Sequence, residues 1–271
     1  MRPEQLEVLR AQLGLDRPLL LQYLDYLTAL LRGDLGLSLW LGQPVVDEIA
    51  RALPVTLELA ALSALLALLV AIPVGVLSAT RRNSPLDYLL RALSVTFLAT
   101  PSFWIATLII LVLSVRFRWL PATTYISPPQ DPLANLTQFL IPATILGLAL
   151  AASVMRMTRS SLLEVLSEDY VRTARAKGLA DRTVLFRHAL RTALIPIVTV
   201  VGLQWGQLIG GSVIIETVFG LPGMGSLVLA AIQTRDYPLL QGAVLVIALW
   251  MVLLNLLIDA AYLVIDPRLR S

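Results

Sequence analysis

Apolar positions in this chain come in long blocks, not in the one-sided stripe of a helix that packs on a soluble core. Five blocks reach the about 20 residues needed to cross a hydrocarbon layer, at 55–79, 93–115, 137–155, 192–215 and 239–264. The first is broken only by Glu58 near its start and Pro73 near its end; the second carries Pro101 and the third Pro142. Proline is tolerated in such helices because neighbouring helices re-satisfy the carbonyls it frees. The pattern predicts an all-α integral membrane protein with five transmembrane helices over 55–271. Residues 1–54 hold no spanning block and read as an external amphipathic segment, apolar around 19–24 and 27–31.

The polar segments between the blocks differ in charge. The first carries Arg81, Arg82 and Arg91 against Asp87 alone. The third is long and basic, with Arg156, Arg159, Arg172, Arg175, Lys177, Arg182, Arg187 and Arg191. The second, 116–136, has only Arg116 and Arg118 and is rich in proline; the fourth, 216–238, has Arg235 alone. Positive loops stay on the cytoplasmic side, so the first and third are inside, and the tail with Arg268 and Arg270 joins them. That leaves residues 1–54 outside with no apolar export signal before them. Either the first span inserts as a reverse anchor, or a further helix lies upstream.

Composition sharpens this picture. Apolar residues make up 57% and charged residues 14% of the 271, too little charge to solvate a globular surface of this size. A formal charge of +3 gives no reason to expect nucleic acid as a partner. With no cysteine and one histidine, thiolate metal sites and cysteine nucleophiles are excluded, and His188 has no nucleophile motif beside it. No G-x-x-x-x-G-K-[ST] occurs, so ATP is not hydrolysed here by that mechanism; no H-E-x-x-H occurs either. An ion- or proton-coupled secondary transporter is the alternative, but such proteins need midplane charge, and only Glu58 and Asp259 lie within the blocks. Both read as structural groups before transport groups.

The third loop carries the most information, Glu168-Asp169-Tyr170-Val171-Arg172-Thr173-Ala174-Arg175-Ala176-Lys177-Gly178-Leu179. Helix formers run up to Gly178, which suits a helix end; a second helical run, 181–194, leads into the fourth span. Glu168 and Asp169 are placed to cap the first helix. Taken alone, this is a basic loop lying on anionic lipid, or a docking helix whose Ala174, Ala176 and Gly178 allow a cytoplasmic partner to come close.

The stretch Arg172-Thr173-Ala174-Arg175-Ala176-Lys177-Gly178 resembles the E-A-A-x-x-x-G signature of binding-protein-dependent ABC permeases. Arg172 and Thr173 stand where the general signature has Glu and Ala, and the later I-x-L-P element falls at His188-Ala189-Leu190-Arg191 with its proline delayed to Pro196. Both departures resemble the peptide branch, whose version reads Y-V-R-T-A-R-A-K-G. Further segments match it in order: Leu13-Gly14-Leu15-Asp16-Arg17-Pro18, Gly33-Asp34-Leu35-Gly36, Leu53-Pro54-Val55-Thr56-Leu57-Glu58-Leu59, Phe219-Gly220-Leu221-Pro222-Gly223-Met224-Gly225, Arg235-Asp236-Tyr237-Pro238 and Asp266-Pro267-Arg268. The chain is thus similar, over essentially its whole length, to dipeptide/oligopeptide/nickel importer permeases, in the branch of the first of two paired permeases.

The resemblance implies a coupling helix comprising Tyr170, Arg172, Thr173, Ala174, Ala176, Lys177, Gly178 and Leu179 that docks on an ATPase subunit. It implies a second homologous permease, two ABC ATPase subunits that bind ATP and magnesium, and an extracytoplasmic solute-binding protein. The setting is a bacterial or archaeal cytoplasmic membrane, with this chain itself not an enzyme and holding no cofactor or metal. Six spans are usual in the family, the first just upstream of the L-G-L-D-x-P stretch, so an upstream helix is expected. Gly202, Gly206 and Gly210 recur every four residues on the fourth span and allow close helix packing, with Gln204 and Gln207 beside them as either packing or pore groups. The loop with Gly220, Pro222, Gly223 and Gly225 is either a flexible turn or a contact for the external binding protein, with exposed apolar residues.

Overall fold

The computed structural model describes residues 16–122 and 124–265, and side chains throughout except at Ile195, Gln207, Asp259 and 261–265. Residues 13–15 and the closing Asp266-Pro267-Arg268 lie outside the described residues, as do Arg268 and Arg270. Among the described residues every regular element is a helix. The first, α1 (Leu19–Leu31), is amphipathic as expected and has no buried residue.

Helix α2 (Val45–Thr80) starts well before the predicted span at 55, so residues 45–54 belong to the same rod. Asp47 and Glu48 occupy its first turn, where carboxylates complement the positive helix end. Pro54 and Pro73 are both absorbed without a break. Pro101 behaves differently. The block 93–115 is not one rod but two helices, α3 (Pro85–Ala99) and α4 (Ser102–Phe117), which meet at 98°. Thr100 is extended at ψ 124°, the conformation a following proline demands, and the helix ends there.

Helix α5 (Pro132–Leu166) opens on an Asp131 cap that accepts from the N–H groups of Leu133 and Ala134, at 3.1 and 3.0 Å. Its 35 residues make a rod of about 52 Å against a hydrocarbon layer of about 30 Å. Arg156 and Arg159, assigned from sequence to a loop, therefore ride on this helix. After α6 (Asp169–Ala176), a short turn at Asp181–Thr183 and a π-helical stretch, Val184–Ala189, feed α7 (Leu190–Phe219). The segment 216–238, expected as a loop, instead carries α8 (Met224–Thr234), which folds back at 75° to the end of α7. The last helix is α9 (Tyr237–Ile265).

Helices α2 and α5 form the centre and pack closely because small residues face each other. Ala60, Ala64, Ala67 and Ala71 of α2 are buried. A methyl group at Gly147 would come within 2.7 Å of the Ser63 carbonyl oxygen, and one at Gly75 within 2.6 Å of Thr158. In a lipid solvent such small-residue contact is what holds helices together. Two smaller clusters lie at the ends. One gathers Val76, Ala79, Leu162, Val165, Val171, Val184, Ala189 and Ala193 at the end that carries α6, called inner here after the loop charges, with the opposite end outer. The other gathers Val45, Ile49, Ala52, Met224, Ala231, Leu239 and Ala243 at the outer end. By length and composition three helices, α2, α5 and α9, can cross a membrane unaided, or up to six spans form if each bent pair counts as one.

Candidate coupling site

Helix α6 is seated by one side chain. Val171 is fully buried among residues from the ends of α2 and α5 and the π-helical stretch, while Tyr170, Arg172, Thr173, Ala176, Lys177, Gly178 and Leu179 are exposed and Ala174 is half-buried. The helix ends as a glycine-terminated motif should. Gly178 has φ +79°, its N–H donates to the Arg175 carbonyl at 2.9 Å, and the Leu179 N–H donates to the Ala174 carbonyl at 3.3 Å. Arg175 pairs with Asp181 at 3.0 Å across the turn, which orders the exit from α6. Glu168 is the N-cap residue, without a side-chain capping bond, and Asp169 lies in the first turn, where a carboxylate complements the helix dipole. Asp169 also accepts from Arg172 at 3.3 Å.

At the same ends of α2 and α5 lies a buried ion pair that sequence reading did not find. Asp87, the first-turn carboxylate of α3, is 0% exposed. It accepts from Arg159 Nε and Nη2, each at 2.8 Å, from Ser78 Oγ of α2 at 2.5 Å and from the Asn83 N–H at 3.0 Å. Asn83 presents that N–H from a left-handed turn with φ 62°, a conformation asparagine accepts readily. One carboxylate thus joins the inner ends of α2, α3 and α5. In sequence Arg159 had counted only as loop charge, and a separation of 72 positions hides its partner.

A second buried carboxylate, also missed, organises the opposite end. Glu216 is 0% exposed; its Oε1 accepts from Thr56 Oγ1 at 2.7 Å and its Oε2 from the Ser226 N–H at 3.0 Å. The Thr56 hydroxyl in turn accepts from the Met224 N–H at 2.7 Å. Gly223 and Gly225 form the cradle: a methyl at Gly223 would stand 2.4 Å from Glu216 Cδ, and one at Gly225 would stand 2.4 Å from Val213 Cα. This explains why the motifs at 53–59 and 219–225 occur together, and it corrects the reading of the second as a turn with exposed apolar residues. Leu221 and Met224 are each 1% exposed, Gly223 and Gly225 are buried, and only Gly220 and Pro222 of that group face outward. The three glycines do different work, since Gly220 supplies a left-handed helix end at φ +68°.

Asp236 pairs the remaining motifs. Its Oδ2 accepts from Ser38 Oγ at 2.5 Å and the Trp40 N–H at 3.2 Å, and its Oδ1 from the Leu239 N–H at 3.2 Å. Burial works against its charge, but hydrogen bonds from Ser38 and from the backbone of Trp40, Leu239 and Leu39 outweigh this and hold its carboxyl below the usual range. The segment around Gly33-Asp34-Leu35-Gly36 is folded by Asp34, which accepts the Gly36 N–H at 2.8 Å.

Of the helix-packing candidates, Gly202 and Gly206 face α9. A methyl there would meet Ile258 at 2.8 Å and Met251 at 2.9 Å respectively, so close packing within the chain uses these two. Gly210 has nothing within 4 Å and is exposed. Gln204 is half-buried; the Gln207 side chain lies outside the described residues, as does that of Asp259. Glu58 accepts from Tyr125 OH at 3.1 Å, which ties the outer part of α2 to the loop before α5.

The chain is thus a bundle of long apolar helices, tied at both ends by buried carboxylates and presenting one short polar helix at one end. Residues 71–271 match the family of binding-protein-dependent transport system inner membrane components, and the chain belongs to that family. It is 44% identical over 273 residues to a protein of Brucella suis biovar 1 named as a peptide permease, covering 100% of this chain and 86% of that one. It is 40% identical over 291 residues to the dipeptide transport system permease protein DppB of Escherichia coli K12, covering 99% of this chain and 86% of DppB. Among solved structures, an inward-facing form of the MetNI methionine ABC transporter matches with a TM-score of 0.66 at 17% identity, over 81% of this chain and 96% of that one. That likeness establishes the fold.

Proposed function

We propose that this chain is the permease subunit of an ATP-driven importer that carries peptides into the cytoplasm, and that α6 is the helix through which ATPase subunits drive it. The observation that carries the reading is the seating of α6: Val171 is buried while the Y-V-R-T-A-R-A-K-G side chains around it stay exposed for a partner. Peptides are the substrate class because relatives sharing 40 to 44% of residues over nearly the whole chain are named for peptides or dipeptides. ATP and magnesium belong to two separate ATPase subunits, and a second permease completes the path.

The α6 face is cytoplasmic by its charge, the outer end carries Gly220 and Pro222, and a solute-binding protein delivers cargo there. Binding of ATP moves the equilibrium only if the ATPases hold one state more tightly than the other, so α6 must be presented differently in the two states. The test uses the absence of native cysteine. A single Ala176→Cys, cross-linked in native membranes, captures an ATP-binding subunit with a yield that nucleotide changes. Clean expression with no ATPase captured defeats the reading and favours a secondary transporter.

A further inference from the structure

We propose that the Asp87–Arg159 pair is the rigid link that carries movement of α6 into α2 and α3. The proposal rests on reading α6 as the ATPase-docking helix. Helix α6 stands on two supports that come from different parts of the chain. Its Val171 foot is buried in one apolar cluster with Val184 and Ala189 of the π-helical stretch, Val76 and Ala79 of α2, and Leu162 and Val165 of α5. Such an apolar contact transmits a push but slides easily, because dispersion forces are not directional.

One helical turn from that contact, Arg159 grips Asp87 with two parallel N–H bonds of 2.8 Å. Ser78, on α2 next to Val76 and Ala79, binds the same carboxylate. A planar guanidinium held at two points resists both sliding and rotation, which a single-point ammonium does not. The carboxylate is 0% exposed and the arginine side chain 17% exposed, so water cannot easily replace either partner. Of the two buried side chains of α3, Ser94 bonds within its own helix and Asp87 alone bonds to other helices. The pair therefore makes the inner ends of α2, α3 and α5 one body, and that body carries the residues of α2 and α5 that share the Val171 cluster. The sharp turn at Pro101 lies at the far end of α3, where that body's motion is handed on to α4. Arg159 and Asp87 act as positioning residues; neither faces a solute in this arrangement.

The test uses the assembled complex with its partner permease and ATPases, the other subunits freed of reactive cysteine. Spin labels go at Leu89 of α3 and Glu164 of α5, both exposed. In the parent chain the distance between them stays the same with and without ATP. Arg159→Lys keeps the charge and the fold but loses the two-point grip, and the distance then shifts on ATP binding by on the order of 2 Å or broadens. In vesicles loaded with ATP, radiolabelled alanylalanine taken up per ATP hydrolysed falls roughly tenfold in that variant. Ser78→Ala, which leaves the ion pair intact, shows the same change in smaller degree.

A parent distance that itself changes with ATP overturns the proposal, and so does an Arg159→Lys distance indistinguishable from the parent in both states. Uptake and hydrolysis falling in strict proportion also overturn it, because that is the mark of lost assembly alone. A parent complex that retains no ATPase defeats the reading of α6 and the proposal with it. A complex that hydrolyses ATP while the variant behaves as the parent defeats the link alone.

Discussion

The two ends of α2 are both tied down by a buried carboxylate, yet the two ties are made of different materials. At the inner end Asp87 faces a guanidinium, and Ser78 adds a hydroxyl. At the outer end Glu216 is met by a hydroxyl and a backbone N–H, inside a wall of two glycines. An ion pair fixes orientation strongly, but each partner becomes a liability once the other is removed. A carboxylate held by neutral dipoles depends instead on shape and on satisfied donors. The inner end thus suits a joint that must carry force, and the outer end suits a plug that must fit.

This contrast is broken most directly by Arg159→Met. Asp87 then stays buried without its cation, and the chain loses about 3–5 kcal/mol of stability, seen as a lower melting point in detergent. The double variant Asp87→Asn with Arg159→Met recovers most of the loss, because an apolar and an amide group no longer leave a bare charge. A double variant as damaged as the single one removes the ion pair from the explanation.

At the outer end the amide substitution behaves otherwise. Glu216→Gln costs about 1 kcal/mol, since its carbonyl still accepts from Ser226 and the Thr56 hydroxyl rotates to meet the new amide. Glu216→Ala costs about 2–4 kcal/mol, as it orphans both donors and empties the cradle. Thermal melts of the two variants side by side decide this. Equal losses would mean that the charge itself matters at Glu216, and the difference between the two ends of α2 would disappear.

The sequence showed one of these levels and hid the other. Apolar blocks mark helices that lipid must accept, so α2, α5, α7 and α9 were all found near their places. The glycine end of α6 was legible too, because a short helix writes its limit locally in Gly178, whereas the seating through Val171 was not read. Bends are less local. Pro101 ends a helix where Pro142 does not, and Pro142 sits buried inside the packed centre where neighbours hold the rod together. The ties were hidden by distance along the chain. Arg159 lies 72 residues from Asp87, Glu216 lies 160 from Thr56, and Asp236 lies 198 from Ser38. Thr56 and Asp236 lay in motifs the sequence displayed, but their partners Glu216 and Ser38 did not, and no periodicity says which residue bonds which. The glycine stripe at 202, 206 and 210 drew attention by its regularity, while the contact between α2 and α5 runs through Gly75 and Gly147, which no regular spacing marks.

Asp236 extends the comparison to a third tie, one that acid loosens. Like Glu216 it is held by neutral donors, from Ser38, Trp40 and Leu239. Its carboxyl titrates below the usual range in the folded chain, so the folded state favours the charged form more than the unfolded state does. The stabilisation is therefore complete above the unfolded value near about 3.9 and is lost as pH falls through the lower folded value. Asp236→Asn gives up part of it at every neutral pH, about 1 kcal/mol. The gap in melting temperature between parent and variant stays constant from roughly pH 5 to 8 and closes below about pH 4. A gap that persists unchanged into stronger acid would show that the bonds to Asp236 do not require its charge, and would place this tie with shape-held Glu216 rather than with the ion pair.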